Sequence, residues 1–456
     1  MQLTRLGDVA HINPRFDKSS LADDVPVSFV QMASVGAADG KINVSIVRPF
    51  VEVKKGSYTP FKDGDVLFAK VTPCMENGKM AVARGLTNGV GFGSSEFHVL
   101  RPSDQVDAKY LYYFVSSQTF RKEAAGNMTG AVGLRRVPAA FLADAQLPLV
   151  PLDEQRRIVA EIEQQFSRLD EAVANLQRVK ANLKRYKASV LKAAVEGRLV
   201  ETEASIAQRE GRSYETGEQL LQRILEDRKA RAKGKRVAVN QPDSDGLPDF
   251  PEGWTWATCD AAINSIDAGA SFKCDERPPV LGEVGVLKVS ALTWGTYDES
   301  ESKTCKDEGR IQEKYLVQDG DFLFSRANTI ELVGACVIVG KTTKQLMLSD
   351  KTLRFKLDEK VLPEWLQICL RCKFGRDEIE RLATGNQESM RNIGQERIRQ
   401  IRMPLPSLTE QKRIVAEVDR SLSIVHEVEA GVDANLQRAK ALRQSALAKS
   451  FEAGAQ

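Results

Sequence analysis

The 456-residue chain is long enough for two or three domains, and its 42% hydrophobic and 28% charged residues are typical of a folded globular protein. Its 65 basic and 62 acidic residues nearly cancel, so a nucleic-acid site must arise from local clusters of charge. No run approaches 18 apolar residues, the first residues lack a signal-peptide core, and seven cysteines make no paired framework. These features argue against a membrane-spanning or disulfide-rich secreted protein and predict a cytoplasmic, multidomain chain with reduced thiols.

Short β-like runs separated by Gly, Asn, Asp and Pro fill residues 1–150, the first predicted domain. Strands are predicted at 25–32, 42–47 and 66–69, followed by a helical patch at 109–122. This mixture predicts an α+β domain with a curved, mainly antiparallel sheet.

A long helix is predicted over 151–200. Its apolar residues recur at steps of three or four from Ile158 to Val190, which is the narrow stripe of a coiled-coil seam, and Asp153 is its predicted N-cap. A second helix of this kind is predicted over 403–456, with Thr409 as its N-cap. Each helix either lies on its own domain or packs antiparallel on the other, and we favour the antiparallel pair because the two are well matched.

Residues 201–253 form a predicted linker with a short helix at 217–228. Residues 228–236 hold six basic residues in nine and no acid, and they either contact DNA or serve as a flexible connection. A second α+β domain is predicted at 254–402. Its strands are expected at 286–289 and 332–339 and its helical patch at 363–381, where Trp365 takes the place of Tyr110.

The chain is an internal duplication. Residues 147–162 recur at 403–418, with ten of sixteen positions identical at an offset of 256. The same offset aligns the strand at 66–69 with a run at 322–325. The order of parts is therefore domain, long helix, linker, domain, long helix.

No catalytic or cofactor motif stands out. Residues 334–342 resemble a phosphate-binding loop but have five residues between the glycines, so a strand leading into a turn is predicted instead. Cys369 and Cys372 form a lone CxxC pair without a second pair at zinc spacing, so ordinary thiols are expected there. The three histidines have no partners for acid–base work. Together these absences predict a non-catalytic chain with no cofactor or metal of its own.

Basic and polar residues gather in loops at matching points of both domains. Lys70 and Arg326 each follow an Asp-x-Leu-Phe strand at one duplicated position. Arg and Lys reach phosphate or guanine, whereas Asn and Gln pair with adenine. Solvated polar turns are the alternative, but the duplication favours a nucleic-acid surface. The predicted DNA-binding residues are Lys70, Thr72, Asn77, Lys79, Asn127, Arg135 and Arg136 in the first domain and Arg326, Asn328, Thr329, Asn386, Gln387, Arg391 and Asn392 in the second.

The paired Glu-Gln-(Arg/Lys)-Arg-Ile-Val-Ala-Glu blocks, each followed by a long helix, resemble the specificity subunits of type I restriction-modification systems. Pro251-Glu-Gly-Trp254 and Glu76-Asn-Gly-Lys79 are similar to that family too, although the second motif becomes Leu332-Val-Gly-Ala335 in the other domain. The resemblance covers essentially the whole chain. It implies two target-recognition domains separated by two conserved helices, in a subunit without catalytic residues.

As partners, the resemblance implies double-stranded DNA, two methyltransferase subunits and two restriction subunits, and no membrane. S-adenosylmethionine, ATP and Mg are expected on those partner subunits. Two unlike domains would read an asymmetric, bipartite target, with half-sites about one helical turn, roughly 34 Å, apart. The charged faces of the long helices would hold the methyltransferase subunits, with ordinary solvated faces as the alternative. The predicted partner-binding residues are Arg156, Arg157, Arg168, Arg178, Lys412, Arg413 and Arg438.

Two other functions stay open from the sequence. The chain is either the recognition subunit of a related bipartite restriction-methylation enzyme or a coiled-coil scaffold whose globular units bind proteins. Salt-sensitive, sequence-selective binding to duplex DNA separates a recognition subunit from a scaffold.

Overall fold

The computed structural model describes residues 2–131, 133–231, 242, 247–387 and 390–452, without the side chains at 308, 386, 387 and 452. It divides into two compact units, unit 1 with residues 1–179 and 431–456 and unit 2 with residues 180–430. Each unit holds one globular domain and part of both long helices. The predicted α+β class with two long helices is confirmed.

The elements of the first half alternate short strands and short helices before one long helix. They are β1 (Gln2–Arg5), α1 (Leu6–Val9), β2 (Ala10–Ile12), β3 (Pro26–Val30), β4 (Val47–Pro49), α2 (Phe50–Val53), β5 (Thr59–Lys62), β6 (Val66–Ala69), β7 (Met80–Val82), β8 (Val90–Gly93), β9 (Phe97–Pro102), α3 (Ala108–Ser116), α4 (Gln118–Gly126), β10 (Thr129–Ala131), β11 (Leu134–Arg136), α5 (Ala139–Asp144), β12 (Gln146–Leu149) and α6 (Leu152–Val195).

Unit 1 contains two four-stranded sheets. The first has the order β2-β9-β6-β7 and is antiparallel throughout, and the second has the order β4-β3-β8-β5 with one parallel pair, β3 with β8. The strand predicted at 42–47 was wrong, because the Asn43 side chain accepts the N–H of Ser45 and turns the backbone there. The helix predicted at 109–122 is two helices, which meet at Ser117, the N-cap of α4.

The second half repeats this plan after two linker helices. Its elements are α7 (Glu203–Glu210), α8 (Gly217–Arg231), β13 (Thr255–Thr258), α9 (Cys259–Ala262), β14 (Ile263–Ala268), β15 (Cys274–Asp275), β16 (Gly285–Leu287), β17 (Leu292–Thr293), β18 (Thr296–Tyr297), β19 (Ser302–Cys305), β20 (Phe322–Ser325), β21 (Ala327–Asn328), β22 (Cys336–Ile338), β23 (Leu346–Met347), β24 (Thr352–Leu357), α10 (Pro363–Arg371), α11 (Lys373–Leu382), β25 (Thr384–Gln387), β26 (Met390–Asn392), α12 (Gln395–Arg399), β27 (Arg402–Leu405) and α13 (Leu408–Glu452).

Unit 2 has a sheet of order β14-β24-β20-β22, which corresponds strand by strand to β2-β9-β6-β7. Its second sheet, β15-β19-β16-β23, also has one parallel pair, β16 with β23. The strand expected at 332–339 is confined to β22, because residues 329–333 form a turn in which the N–H groups of Leu332 and Val333 donate to Thr329 O.

The linker helices pack on unit 2. Leu220 and Ile224 of α8 are fully buried, and the guanidinium of Arg228 donates to the carbonyls of Asp260 and Ala261 at 2.6 and 3.2 Å. Arg228 therefore binds backbone carbonyls within unit 2. Residues 232–236 of the basic run lie outside the described residues. Helix α7 was missed by the sequence analysis because it has only eight residues.

The two long helices are antiparallel. Arg443 of α13 forms an ion pair with Asp170 of α6 at 2.6 Å in unit 1, and Lys187 pairs with Glu429 at 2.6 Å in unit 2. The predicted antiparallel pairing of the two long helices is therefore confirmed. The predicted N-caps were wrong by two residues, since α6 begins at Leu152 and α13 at Leu408, where the hydroxyl of Ser407 accepts the N–H of Glu410 at 3.2 Å.

The repeated Glu-Gln block has different surroundings in its two copies. Gln155 and Gln411 are both fully buried and bind backbone groups. Glu154 is on the surface, where its hydrogen bond from Arg157 lowers its pKa. Glu410 is buried in unit 2 and accepts from Trp254 Nε1 at 2.9 Å and from the N–H of Glu203 at 3.1 Å, and its burial raises its pKa.

The matching places of Tyr110 and Trp365 are confirmed by their bonds. Tyr110 Oη donates to Pro148 O at 2.6 Å, and Trp365 Nε1 donates to Pro404 O at 3.1 Å; both side chains are fully buried. Each ring therefore links the helical patch of its domain to the strand that precedes a long helix.

We expect Tyr110→Phe to lower the free energy of unfolding by about 1 kcal/mol, because the buried carbonyl of Pro148 loses its donor while the ring remains. Urea unfolding followed by far-ultraviolet circular dichroism measures this change. Tyr58→Phe is the control, since the Tyr58 side chain is 36% exposed. An unchanged midpoint for Tyr110→Phe would contradict the role assigned to this bond.

Candidate nucleic-acid interface

A β-hairpin beside the end of a central strand forms the candidate surface of unit 1. Lys70 directly follows β6, and its backbone accepts the N–H of Val137 at 2.9 Å and donates to Glu96 O at 2.9 Å. The hairpin of β10 and β11 pairs Thr129 with Arg136 and continues into a bridge between Val71 and Arg136. The hairpin therefore holds Lys70, Thr72, Arg135 and Arg136 in one place.

Unit 2 contains the same arrangement of a β-hairpin beside the end of a central strand. We call this arrangement the frame. Arg326 directly follows β20, and its carbonyl accepts the N–H of Ile393 at 2.9 Å; β21 pairs with β26 of the hairpin β25–β26. Arg326 is thereby grouped with Asn328, Arg391 and Asn392. Every one of these four positions lies 256 residues beyond its counterpart in unit 1.

One glycine in each hairpin fixes its shape. Gly130 and Gly385 have φ values of +121° and +115°. A Cβ atom at either position would lie 2.8 or 2.6 Å from a carbonyl oxygen of the facing strand. Only glycine fits both the conformation and the space, so each hairpin requires a glycine at this place in its first strand.

The two arginines of the unit 1 hairpin are similarly exposed but differ in how closely each is paired with an acid. Arg136 binds Glu96 through two hydrogen bonds of 2.9 and 2.7 Å, which lower the pKa of that carboxyl group. Arg135 is 43% exposed and lies 4.0 Å from Glu76. The hydroxyl of Thr72 accepts the N–H of Arg135 at 2.9 Å, so it fixes the hairpin rather than standing open to a ligand.

Three other predicted residues of unit 1 lie apart from the hairpin frame or hold the fold. The ammonium group of Lys79 donates to the carbonyls of Met32 and Val35 at 3.0 and 3.1 Å. Asn127 ends α4 and donates to Glu123 O at 2.9 Å. Asn77 is exposed in the loop between β6 and β7. Lys79 and Asn127 thus have structural bonds that the sequence did not indicate.

The side chains of unit 2 are chemically different. Arg326 Nε lies 3.5 Å from Asn392 Oδ1, and Asn328 Oδ1 accepts the N–H of Thr329 at 2.9 Å. The guanidinium of Arg391 donates to Gly385 O. The side chains of Asn386 and Gln387 lie outside the described residues.

One contrast between the frames was missed by the sequence analysis. The carbonyl that accepts the N–H of Lys70 belongs to Glu96, whereas the carbonyl that accepts the N–H of Arg326 belongs to Lys351. The same place in the frame therefore carries an acid in unit 1 and a base in unit 2. Only the pairing of β9 with β6 and of β24 with β20 reveals this, because both residues are distant in sequence from the loops.

A buried histidine supports the hairpin of unit 1. His98 Nε2 lies 2.9 Å from Val137 O, and Nδ1 lies 2.9 Å from Asn13 Nδ2. Burial lowers the pKa of His98. We assign it a positioning role next to the backbone of Lys70.

The predicted partner-binding residues lie on the long helices. Arg156 and Arg157 are exposed and pair with acids of their own helix, and Arg413 pairs with the buried Glu203. Arg178 and Arg438 each bind an asparagine three residues earlier. The residues of this set with exposed side chains are Arg156, Arg157, Arg168, Arg178, Lys412 and Arg438.

The part of the chain that the structure describes contains no cluster of three or more His, Cys, Asp or Glu residues suited to a metal ion. Cys369 and Cys372 are buried free thiols, and burial raises the pKa of Cys372 to about 11. Among the described helices, none is both long and apolar enough to cross a membrane.

Comparison with known proteins gives one consistent family. Residues 1–184 match the family model described as type I restriction modification DNA specificity domain. The chain is 28% identical to the type I restriction enzyme EcoEI specificity subunit of Escherichia coli, over 97% of this chain and 82% of that protein. It is 26% identical to the EcoAI specificity subunit of the same species, over 91% of this chain and 76% of that protein.

The fold has a solved counterpart. A chain solved in a study of complex assembly and conformational transition of the type I R-M system superposes with a TM-score of 0.65 at 19% identity, covering 99% of this chain and 97% of that one. The matching family model and both curated relatives are described as a DNA specificity domain or as specificity subunits. The chain belongs to the DNA specificity subunits of type I restriction-modification complexes.

Proposed function

We propose that the two hairpin surfaces read the two halves of an asymmetric, bipartite target in double-stranded DNA. The observation that carries this proposal is the pair of matching frames with different side chains. Lys70 with Arg135 in unit 1 and Arg326 with Arg391 in unit 2 provide the cations, and Glu96 and Lys351 change the local charge. Equal frames present protein groups to DNA in the same way, and unequal side chains select different bases.

Each frame supplies its own candidates for phosphate and base contacts. Arg136 is neutralised by Glu96, so we assign it to orienting the hairpin rather than to binding phosphate. Arg135 and Lys70 are the base- or phosphate-reading candidates of unit 1. In unit 2 these roles fall to Arg326 and Arg391, with Asn328 and Asn392 as candidates for adenine. Phosphate contacts would give the affinity its dependence on salt.

We further propose that the exposed charged faces of α6 and α13 hold two methyltransferase subunits and that two restriction subunits join the assembly. Arg178 and Arg438 support this assignment, because the repeat gives both helices the same Asn-Leu-Gln-Arg surface motif with the same side-chain bond. A duplicated surface is suited to two copies of one partner. S-adenosylmethionine, ATP and Mg would be bound by the partner subunits.

Co-expression with a methyltransferase subunit of a type I restriction-modification system tests both proposals. We expect a purified assembly whose mass corresponds to one chain with two methyltransferase subunits. Single-molecule sequencing of the host genome should then show methylated adenines in a single split motif, with two unlike half-sites around a fixed gap.

A soluble, assembled complex that adds no methylation would contradict the DNA-recognition role and favour the scaffold. Methylation of a continuous, unsplit motif would contradict the assignment of one half-site to each domain. A complex with a single methyltransferase subunit would contradict the use of both helical faces.

A further inference from the structure

Two cysteines of unit 2 face each other across neighbouring antiparallel strands. The register of β15 with β19 places Cys274 directly opposite Cys305. The N–H of Lys306 donates to Lys273 O at 2.8 Å, next to this pair, and the N–H of Cys305 points away to Val284 O. Cys274 and Cys305 are therefore a non-hydrogen-bonded pair, the kind in which facing side chains come closest.

The spacing of such a pair suits a disulfide. Facing Cα atoms in non-hydrogen-bonded pairs are about 4.5 Å apart, which lies within the range of about 4.4–6.8 Å that disulfides span. Both side chains belong to one small apolar cluster with Val286 and Met347. Both are free thiols in the structure.

One of the two thiols is accessible to a dissolved oxidant. Cys305 is 9% exposed, whereas Cys274 is half-buried on the edge strand and lines a cleft with Lys288 and Lys303. Strand β15 is only two residues long, and ion pairs between Lys306 and Asp275 and between Lys303 and Glu276 tie it to β19.

The duplicated fold does not require these thiols. Strand β4 takes the place of β19 beside the parallel pair of unit 1, and the register puts Arg48 where Cys305 stands. The facing cysteines are therefore a property of the second domain alone.

We propose that Cys274 and Cys305 are an oxidation site, at which a hydroperoxide converts the pair into a cross-strand disulfide. The Cys274 thiol loses its proton, and the thiolate attacks one oxygen of hydrogen peroxide to give a sulfenic acid; the O–O bond breaks and the departing hydroxide takes up that proton as water. The Cys305 thiol then loses its proton, and its thiolate attacks the Cys274 sulfur; the S–O bond breaks and the departing hydroxide takes up this second proton as water. One peroxide is reduced to two waters as two thiols become one disulfide.

The disulfide locks the edge strand to its neighbour and closes a loop of about 30 residues. Closing such a loop restricts the unfolded chain, so oxidation stabilises unit 2. Desolvation, with the neighbouring Cys305, raises the pKa of Cys274, so the oxidation is slow near neutral pH and becomes faster as the pH rises.

The test is to oxidise the full chain with a small excess of hydrogen peroxide, block the remaining thiols with N-ethylmaleimide and digest without reductant. We expect one disulfide-linked pair of peptides, carrying Cys274 and Cys305. We also expect the melting temperature to rise by about 5 °C and to fall again with dithiothreitol.

Cys305→Ser should abolish both the linked peptides and the rise in melting temperature. Cys74→Ser removes a half-buried thiol of unit 1 and should leave both unchanged. Sulfinic or sulfonic acid at Cys274 with Cys305 still alkylated would overturn the proposal. Linkage of Cys274 to any other cysteine, within or between chains, would overturn it as well.

Discussion

Replacing Glu378 by alanine is expected to lower the free energy of unfolding of unit 2 by about 3 kcal/mol, the cost typical of breaking a buried ion pair. Glu378 lies on α11 with its side chain 4% exposed. Its carboxylate accepts from Arg402 Nη2 at 2.6 Å, from Arg402 Nε at 2.9 Å and from Arg381 Nη2 at 3.0 Å. These bonds join α11 to β27, the strand that leads into α13.

Tryptophan fluorescence measures this change without interference from unit 1. All four tryptophans of the chain, Trp254, Trp256, Trp294 and Trp365, lie in unit 2. Glu380→Ala is the matched control on the same helix, because Glu380 is 44% exposed and pairs only at 3.3 Å with Arg376. We expect Glu380→Ala to cost at most about 0.5 kcal/mol. Equal urea midpoints for the two variants would contradict the structural role of Glu378.

The same carboxylate makes the stability of unit 2 depend on pH. Desolvation opposes ionisation of Glu378, but the hydrogen bonds from Arg402 and Arg381 outweigh it and lower its pKa to about 2. A lowered pKa in the folded state means that the unfolded chain binds the proton more readily. The contribution of Glu378 is therefore complete above about pH 4.5 and is lost as the pH falls toward 2. The difference between the parent chain and Glu378→Ala should shrink over this interval.

Replacing Lys70 by alanine is expected to weaken DNA binding about 10- to 100-fold through one half-site only, and replacing Arg326 should do so through the other. Both residues directly follow the central strand of their frame, beside an arginine of the hairpin. Binding is measured with the assembled methyltransferase complex on duplexes in which one half-site at a time is scrambled. Each variant should lose the ability to discriminate its own half-site and keep the other.

A uniform loss on all duplexes, together with a reduced dependence on salt, would make the residue a phosphate contact instead. Arg84→Ala is the control, because Arg84 is exposed beyond the opposite end of the β6–β7 pair. Unchanged discrimination in both Lys70→Ala and Arg326→Ala would contradict the assignment of the hairpin frames to base reading.

Most of the fold could be predicted from the sequence because the chain is an internal duplication. The strand at 66–69, the positions of Tyr110 and Trp365 and the antiparallel helices all followed from matching two copies of one pattern. The strand prediction was wrong where a single side chain turns the backbone, as Asn43 does in the run at 42–47. The sequence also did not show that the side chains of Lys79 and Asn127 donate to backbone carbonyls and so differ from residues whose side chains are free to bind DNA.

The candidate site was only partly predictable for a related reason. Loops next to a duplicated strand can be recognised from the sequence, so Lys70, Arg135, Arg326 and Arg391 could be predicted as candidates. The neighbours that set their charge come from other strands. The pairing of β9 with β6 and of β24 with β20 brings Glu96 and Lys351 next to the frames, and this pairing could not be predicted from the sequence.

The glutamates of the two Glu-Gln blocks occupy the same position in the repeat, but their pKa values are shifted in opposite directions. As a solution is acidified, Glu410 takes up its proton before a normal glutamate does, because burial raises its pKa and outweighs the hydrogen bonds from Trp254 and the N–H of Glu203. Glu154 keeps its charge longer, because Arg157 stabilises the carboxylate in water. Tolerance to substitution measured in one copy therefore cannot be transferred to the other. In a duplicated chain, identity of sequence marks common ancestry of a position and not a common environment.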